Sequence, residues 1–127
     1  MAMHAEDIVV DKKEQLEKIE AYCLPNETIR AVFDMKGGGT GFIGITNKRV
    51  IFYDKAFMRK KKAMVSILYN RISSLSSEDD SGGLMKRGFF ASSVLTIQSG
   101  GDAFEFEFRG GDKAHQAYMM IMEYLIG

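Results

Sequence analysis

One cysteine, two histidines, no surplus of charge and no long apolar run bound what this 127-residue chain can be. Cys23 alone cannot close an intramolecular disulfide, which favours a reducing compartment, so a cytoplasmic protein is expected. His4 and His115 lie far apart, and no His/Cys pair has metal-ligand spacing. No Ser, Cys or Lys has an evident base beside it in sequence, so neither an enzyme nor a cofactor is expected. Lys and Arg number 17 and Asp and Glu 17, which leaves no overall field to attract nucleic acid. The start, MAMHAEDIVV, lacks the basic opening and apolar centre of a secretory signal. No stretch approaches the roughly 18 consecutive apolar residues that span a bilayer, so a soluble chain is expected.

What is present is a composition of 46% hydrophobic and 27% charged residues, ordinary for a globular protein and long enough for one core. The segment DKKEQLEKIEAYCLPNE predicts a helix, with Asp11 as cap, Glu14 in capping-box position, and Leu16, Ile19, Tyr22 and Cys23 on one stripe. Ile8 extends that stripe if the helix starts earlier, and Pro25 stops it. From Glu27 the period shortens from 3.6 to about 2 and stays there for some eighty residues, which predicts an antiparallel β domain of about seven strands.

The expected strands are TIRAVFDM, GFIGIT, RVIFYD, AMVSILY, RISSLSS, FFASSVLTIQ and AFEFEFR. Between the second and third, Thr46, Asn47, Lys48 and Arg49 make either a phosphate grip or a tight turn. Asn tolerates the backbone of such turns and the Thr46 hydroxyl can bond across the bend, so the turn reading leads, with Arg49 pairing to an acid such as Glu105 or Glu107. Val50 and Phe52 point one way and Ile51 and Tyr53 the other, so both faces of that strand need cover; the second calls for the N-terminal helix or another chain. Ile72 and Leu75 are out of step, which predicts a bulge. Phe104, Phe106 and Phe108 alternate with Glu105 and Glu107 in a hairpin bent at Gly100-Gly101. The last segment, DKAHQAYMMIMEYLI, predicts a helix capped by Asp112 with Ala114, Ala117, Tyr118, Ile121, Tyr124 and Leu125 facing the core. Residues 1–24 are read as an N-terminal helical extension and 25–127 as the main domain.

The stretches LPNETIRAVF, GFIGITNKRVIFYD, SILYNRISSLSSE and LTIQSGGDAFEFEF, with the terminal helix, resemble the pleckstrin-homology-like superfold, and specifically the small bacterial pleckstrin-homology domains related to GRAM domains. Thr46 to Arg49 and Asp54 stand where these families turn and close a strand; Ser66 to Tyr69 and Arg71-Ile72 match a later strand, with Leu68 where Pro is often found. The resemblance implies a mainly β barrel or sandwich capped by the C-terminal helix, and a role in binding or assembly without a reaction.

Two site expectations follow. The basic run Lys55, Arg59, Lys60, Lys61 and Lys62, with Phe57 and Met58 inside it, suits an anionic membrane surface, or else a solvated loop that keeps a sheet edge from aggregating. At about 1 kcal/mol per basic residue it gives at most about 5 kcal/mol, a dissociation constant near millimolar for one copy. The second is an apolar surplus at Ile51, Tyr53, Met119, Met122 and Ile126, which predicts an interface between copies, a homo-oligomer. A protein or peptide partner adding a strand to a sheet edge also suits the fold. Glu78, Asp79 and Asp80 lack the spacing of a calcium loop, and Gly37-Gly38-Gly39 lacks the Lys-Ser/Thr of a phosphate loop.

Overall fold

Alternation of apolar and polar residues builds two sheets here, and each covers what its period leaves bare. The computed structural model describes residues 3–36, 41–53, 64–79 and 92–127. They form β1 (Met3–Val10), α1 (Lys13–Glu20), β2 (Thr28–Asp34), β3 (Phe42–Thr46), β4 (Arg49–Tyr53), β5 (Met64–Leu68), β6 (Ile72–Asp79), β7 (Ser92–Ser99), β8 (Asp102–Arg109) and α2 (Lys113–Ile126), with one 3-10 turn, Tyr69–Arg71, between β5 and β6. The first sheet has the order β1-β2-β3-β4-β5 and the second β6-β7-β8.

Three expectations are corrected. There are eight strands among the described residues, because residues 3–10 form β1 instead of leading into the helix. The sheets are not wholly antiparallel, since β1 runs parallel to β2 along the edge. Nor do they close into a barrel: among the described residues the two sheets are joined by one isolated bridge, from Met35 just past β2 to Phe108 of β8, with the Lys36 N–H donating to the Glu107 carbonyl beside it.

The inward face of the first sheet supplies Ala31, Phe33, Ile43, Ile45, Val50, Phe52 and Ile67 to the main core. Leu95, Ile97, Phe106 and Phe108 meet them from the second sheet, and Ala114, Ala117 and Ile121 from α2 close the stack. A register shift between Ile29 and Ala31 lets Ile29 and Val32, three apart, share the opposite face with Phe42 and Ile51, and there Ile19 of α1 covers them. The lid that Ile51 requires is therefore the N-terminal helix. It sits close because Gly44 has no side chain: a Cβ there would lie 3.0 Å from Ile19. The expected bulge in β6 falls between Ile72 and Ser74.

Both helix starts differ from expectation. Asp11 does not cap α1; its carboxylate accepts from the Asp34 backbone N–H and from Lys113, tying β2 to α2 across the N-terminal segment. Asp112 stands at the N-cap of α2 in an αR conformation (φ −112°, ψ −2°), not the extended one a capping side chain requires. Its place is taken by Ser93 of β7, whose Oγ accepts from the Ala114 N–H at 2.9 Å and donates to the Gly110 carbonyl at 2.8 Å. Ser93 is 1% exposed, so Ser93→Ala strands two polar groups and is expected to lower stability by about 2 kcal/mol in urea unfolding. In the β7–β8 hairpin Ser99 pairs with Asp102, and Gly100 takes φ 65° at the first central position, where a type II′ turn favours glycine.

Candidate functional site

The polar turn after β3 is built round a buried carboxylate that sequence reasoning missed. Glu27 is fully buried and accepts four hydrogen bonds: from Arg49 Nε (2.9 Å), an Arg49 terminal nitrogen (2.9 Å), the Thr46 hydroxyl (2.8 Å) and the Leu24 backbone N–H (2.9 Å). Arg49 therefore pairs with Glu27 and not with Glu105 or Glu107, both of which are exposed on the far side of the second sheet. The guanidinium also donates to the Tyr22 carbonyl at 2.6 Å and the Ser66 hydroxyl at 3.0 Å, joining the segment after α1 to β5. Thr46 Oγ1 takes the Lys48 and Arg49 N–H groups across the bend, and Asn47 pairs with Thr28 through both its backbone N–H and its side-chain oxygen.

The electrostatics fit a brace. Burial opposes the Glu27 charge, but hydrogen bonds from Arg49, Leu24 and Thr46 outweigh it and hold the carboxyl below its ordinary value. Its carboxylate in turn holds the Arg49 guanidinium charged. Of the quartet only Lys48 is exposed, so Arg49 is committed to protein atoms and the turn is scaffold. Cys23 lies beside this pair; burial, then the Glu27 charge, push its thiol up to about 11, which keeps it protonated and a poor nucleophile at neutral pH. The signal for Glu27 was present in LPNETI, as an acid set immediately before an apolar strand.

A second brace fixes the end of α2. Arg30 donates to Tyr124 Oη at 3.1 Å and Glu123 at 3.0 Å, Tyr124 stacks on Tyr69 at 5.3 Å, and the Tyr69 hydroxyl donates to the Thr46 carbonyl. Burial pushes the Tyr69 phenol well above its ordinary value, and the bonds to Tyr124 and Glu123 do the same for Arg30.

The sequence-predicted interface residues do not share one surface. Ile51 is 1% exposed beneath α1, and Tyr53 stacks on Phe42 at 5.2 Å with Lys18 over its ring. Met119 and Ile126, by contrast, are 51% and 79% exposed, and half-buried Met122 lies between them along α2. Their spacing of three and four residues places all three on one stripe, away from Ala114, Ala117 and Ile121. The basic run from Lys55 to Lys62, with Phe57, Met58, Arg59, Lys60 and Lys61, lies outside the described residues, as does Asp80. Glu78 and Asp79 are exposed at the end of β6. His4 bonds Glu20 at 2.7 Å, and His115 is exposed beside Tyr118. Among the described residues no three His, Cys, Asp or Glu gather as metal ligands, and no helix is long and apolar enough to cross a membrane.

Residues 14–123 match the family described as Bacterial PH domain. Two solved structures share the fold. One is a pleckstrin homology domain from Shewanella amazonensis SB2B, 21% identical, covering 92% of this chain and 90% of that one, with a TM-score of 0.64. The other is a DUF1696 family protein with a pleckstrin-homology domain from Shewanella loihica PV-4, 20% identical, covering 89% of this chain and 92% of that one, with a TM-score of 0.61. No curated protein matches. The two sheets, the terminal helix packed on them and the match over most of its length agree: the chain belongs to the bacterial PH domain family.

Proposed function

We propose that the chain is a non-catalytic binding or scaffolding module that associates with copies of itself through the outer face of α2. The observation that carries this is the water-facing stripe of Met119, Met122 and Ile126 on a helix whose opposite face is already used by the core. Apolar side chains of this size in one row gain by leaving water, at about 25 cal/mol per Å² buried, and methionine adapts its shape to a neighbour. The expected interface narrows from five residues to these three, because α1 already covers Ile51 and Tyr53 is stacked within the chain.

Met119→Lys combined with Ile126→Lys tests this. Both positions are exposed, so the double variant keeps a melting temperature close to wild type while its mass in solution falls to one chain. A variant that keeps the wild-type oligomeric mass contradicts the assignment of the face.

Charge distribution favours a second reading, a peripheral adaptor on anionic membranes. The described residues hold ten Lys and Arg against fifteen Asp and Glu, so the rest of the chain holds seven against two, and five of those seven lie between Lys55 and Lys62. Vesicle flotation is expected to recover the protein on anionic but not neutral lipid, and to lose it when Arg59, Lys60, Lys61 and Lys62 are replaced by Ser. Equal recovery on both lipids removes this reading.

A further inference from the structure

Bare strand edges pair with other chains, so natural sheets blunt them with charge, bulges or cover. Among the described residues the two sheets end in β1, β5, β6 and β8, and all but β5 are blunted. β1 carries exposed Glu6 and Asp7 and a break in register between His4 and Val9. β6 carries exposed Glu78 and Asp79 and a break between Ile72 and Ser74. β8 carries exposed Glu105, Glu107 and Arg109, and meets Met35 and Lys36 of the first sheet. β5, Met64–Leu68, has no charged residue and no proline, and its pairing with β4 is unbroken from end to end.

The open side of β5 can be read from β4. Thr46 Oγ1 takes the Arg49 N–H and donates to the Arg49 carbonyl, so both backbone groups of Arg49 face β3. Successive residues of a strand turn these groups to opposite sides, so Val50 and Phe52 bond their β5 partners, Ile67 and Val65. The N–H groups of Met64, Ser66 and Leu68 therefore point outward, and among the described residues nothing accepts from them. The side chains of these three share the α1 face of the sheet, while Val65 and Ile67 turn to the main core. Leu68 is 50% exposed. Arg49 donates to both the Ser66 hydroxyl and the Tyr22 carbonyl, which sets the segment bearing Tyr22 and Leu24, 56% and 60% exposed, beside β5.

Charge selects the occupant. The 3-10 turn after Leu68 ends in exposed Arg71, and exposed Lys48 immediately precedes Arg49, the register partner of Leu68. Among the described residues neither joins an ion pair, and no acid lies between 64 and 71. A strand that brings a carboxylate to this end is complementary to it. The β5 of a second copy has no carboxylate to bring.

We propose that β5 is a docking edge for an extended apolar segment of another protein, which pairs antiparallel with Met64–Leu68 and sets acidic residues at its N-terminal end against Lys48 and Arg71. Main-chain hydrogen bonds supply the affinity, and alternate side chains of the segment lie along Leu68 and the Tyr22–Leu24 rim. The edge uses no residue of the α2 stripe, so the proposal stands whether or not the chain self-associates.

The test titrates the isotope-labelled full chain with a capped peptide of two aspartates followed by alternating valine and threonine. Saturable shifts are expected at residues 64–68, with slowed hydrogen exchange at the Ser66 and Leu68 amides. The same peptide N-methylated at alternate residues, which cannot add as a strand, is expected to bind roughly tenfold more weakly or worse. A peptide with lysines in place of the aspartates is expected to lose a similar factor, and Lys48→Glu combined with Arg71→Glu, both at exposed positions, to reverse that preference. Absence of shifts, shifts centred on β1, β6 or β8, equal binding of the N-methylated peptide, or a charge preference that the double variant does not change overturns the proposal. So does slow exchange of Ser66 and Leu68 in the free chain that is lost on dilution, which would place a second copy on the edge.

Discussion

Replacing Glu27 with glutamine is expected to lower the free energy of unfolding by about 3 kcal/mol at neutral pH, a shift of roughly ten degrees in melting temperature. The substitution removes the only negative charge facing Arg49 in the brace and sets an amide donor against a guanidinium that can only donate. The figure is at the low end for a broken buried ion pair because the Arg49 side chain keeps 19% exposure and two other partners, the Tyr22 carbonyl and Ser66. The same pair makes a prediction about acid. Its folded carboxyl titrates below the ordinary value of 4.5, so the unfolded chain takes up the proton first as pH falls. Its contribution is therefore complete well above pH 4.5 and fades below it, as pH falls towards the depressed folded value. In urea titrations across this range the gap between wild type and Glu27→Gln is expected to narrow on acidification. A gap under about 1 kcal/mol at neutral pH, or one that does not change with pH, would contradict the brace.

Phe52→Ala is expected to cost about 3–5 kcal/mol, the range for deleting a fully buried aromatic ring. Phe52 is 1% exposed on β4 and reaches across to the other sheet, with its ring 5.0 Å from Phe106 in an edge-to-face arrangement and 5.6 Å from Phe104. Among the described residues one isolated bridge joins the two sheets, so side chains such as this one do most to hold the layers together. The loss is expected to appear as a lower denaturant midpoint with the slope preserved, because the surface exposed on unfolding barely changes. A loss under about 1.5 kcal/mol would mean that the sheets are joined elsewhere.

How far the sequence could be read follows from where each element finds its partner. The β7–β8 hairpin and α2 were legible because their patterns are local: phenylalanine alternates with glutamate at period two, and Ala114, Ala117 and Ile121 recur at helical spacing. β1 was not, since an edge strand paired on one side has no fully buried residue and shows no alternation, and its parallel pairing needs no turn signal. Alternation also put Glu105 and Glu107 opposite the phenylalanine face, but it could not say that this outer face points away from the first sheet, so the partner of Arg49 was misread. The caps failed for a related reason. Asp11 and Asp112 have the right residue type at the right place, yet Lys113 and the Asp34 N–H claim the first, and Ser93, brought in by β7, serves the helix in place of the second. Of the interface candidates, exposure separates Met119, Met122 and Ile126 from Ile51, a difference set by where α1 lies and by the missing side chain at Gly44.

Sedimentation velocity of the unmodified chain over the micromolar range tests the central claim most directly. Self-association through α2 predicts a mass of two or more chains that rises with concentration or holds at a closed oligomer. A mass equal to one chain throughout would contradict it.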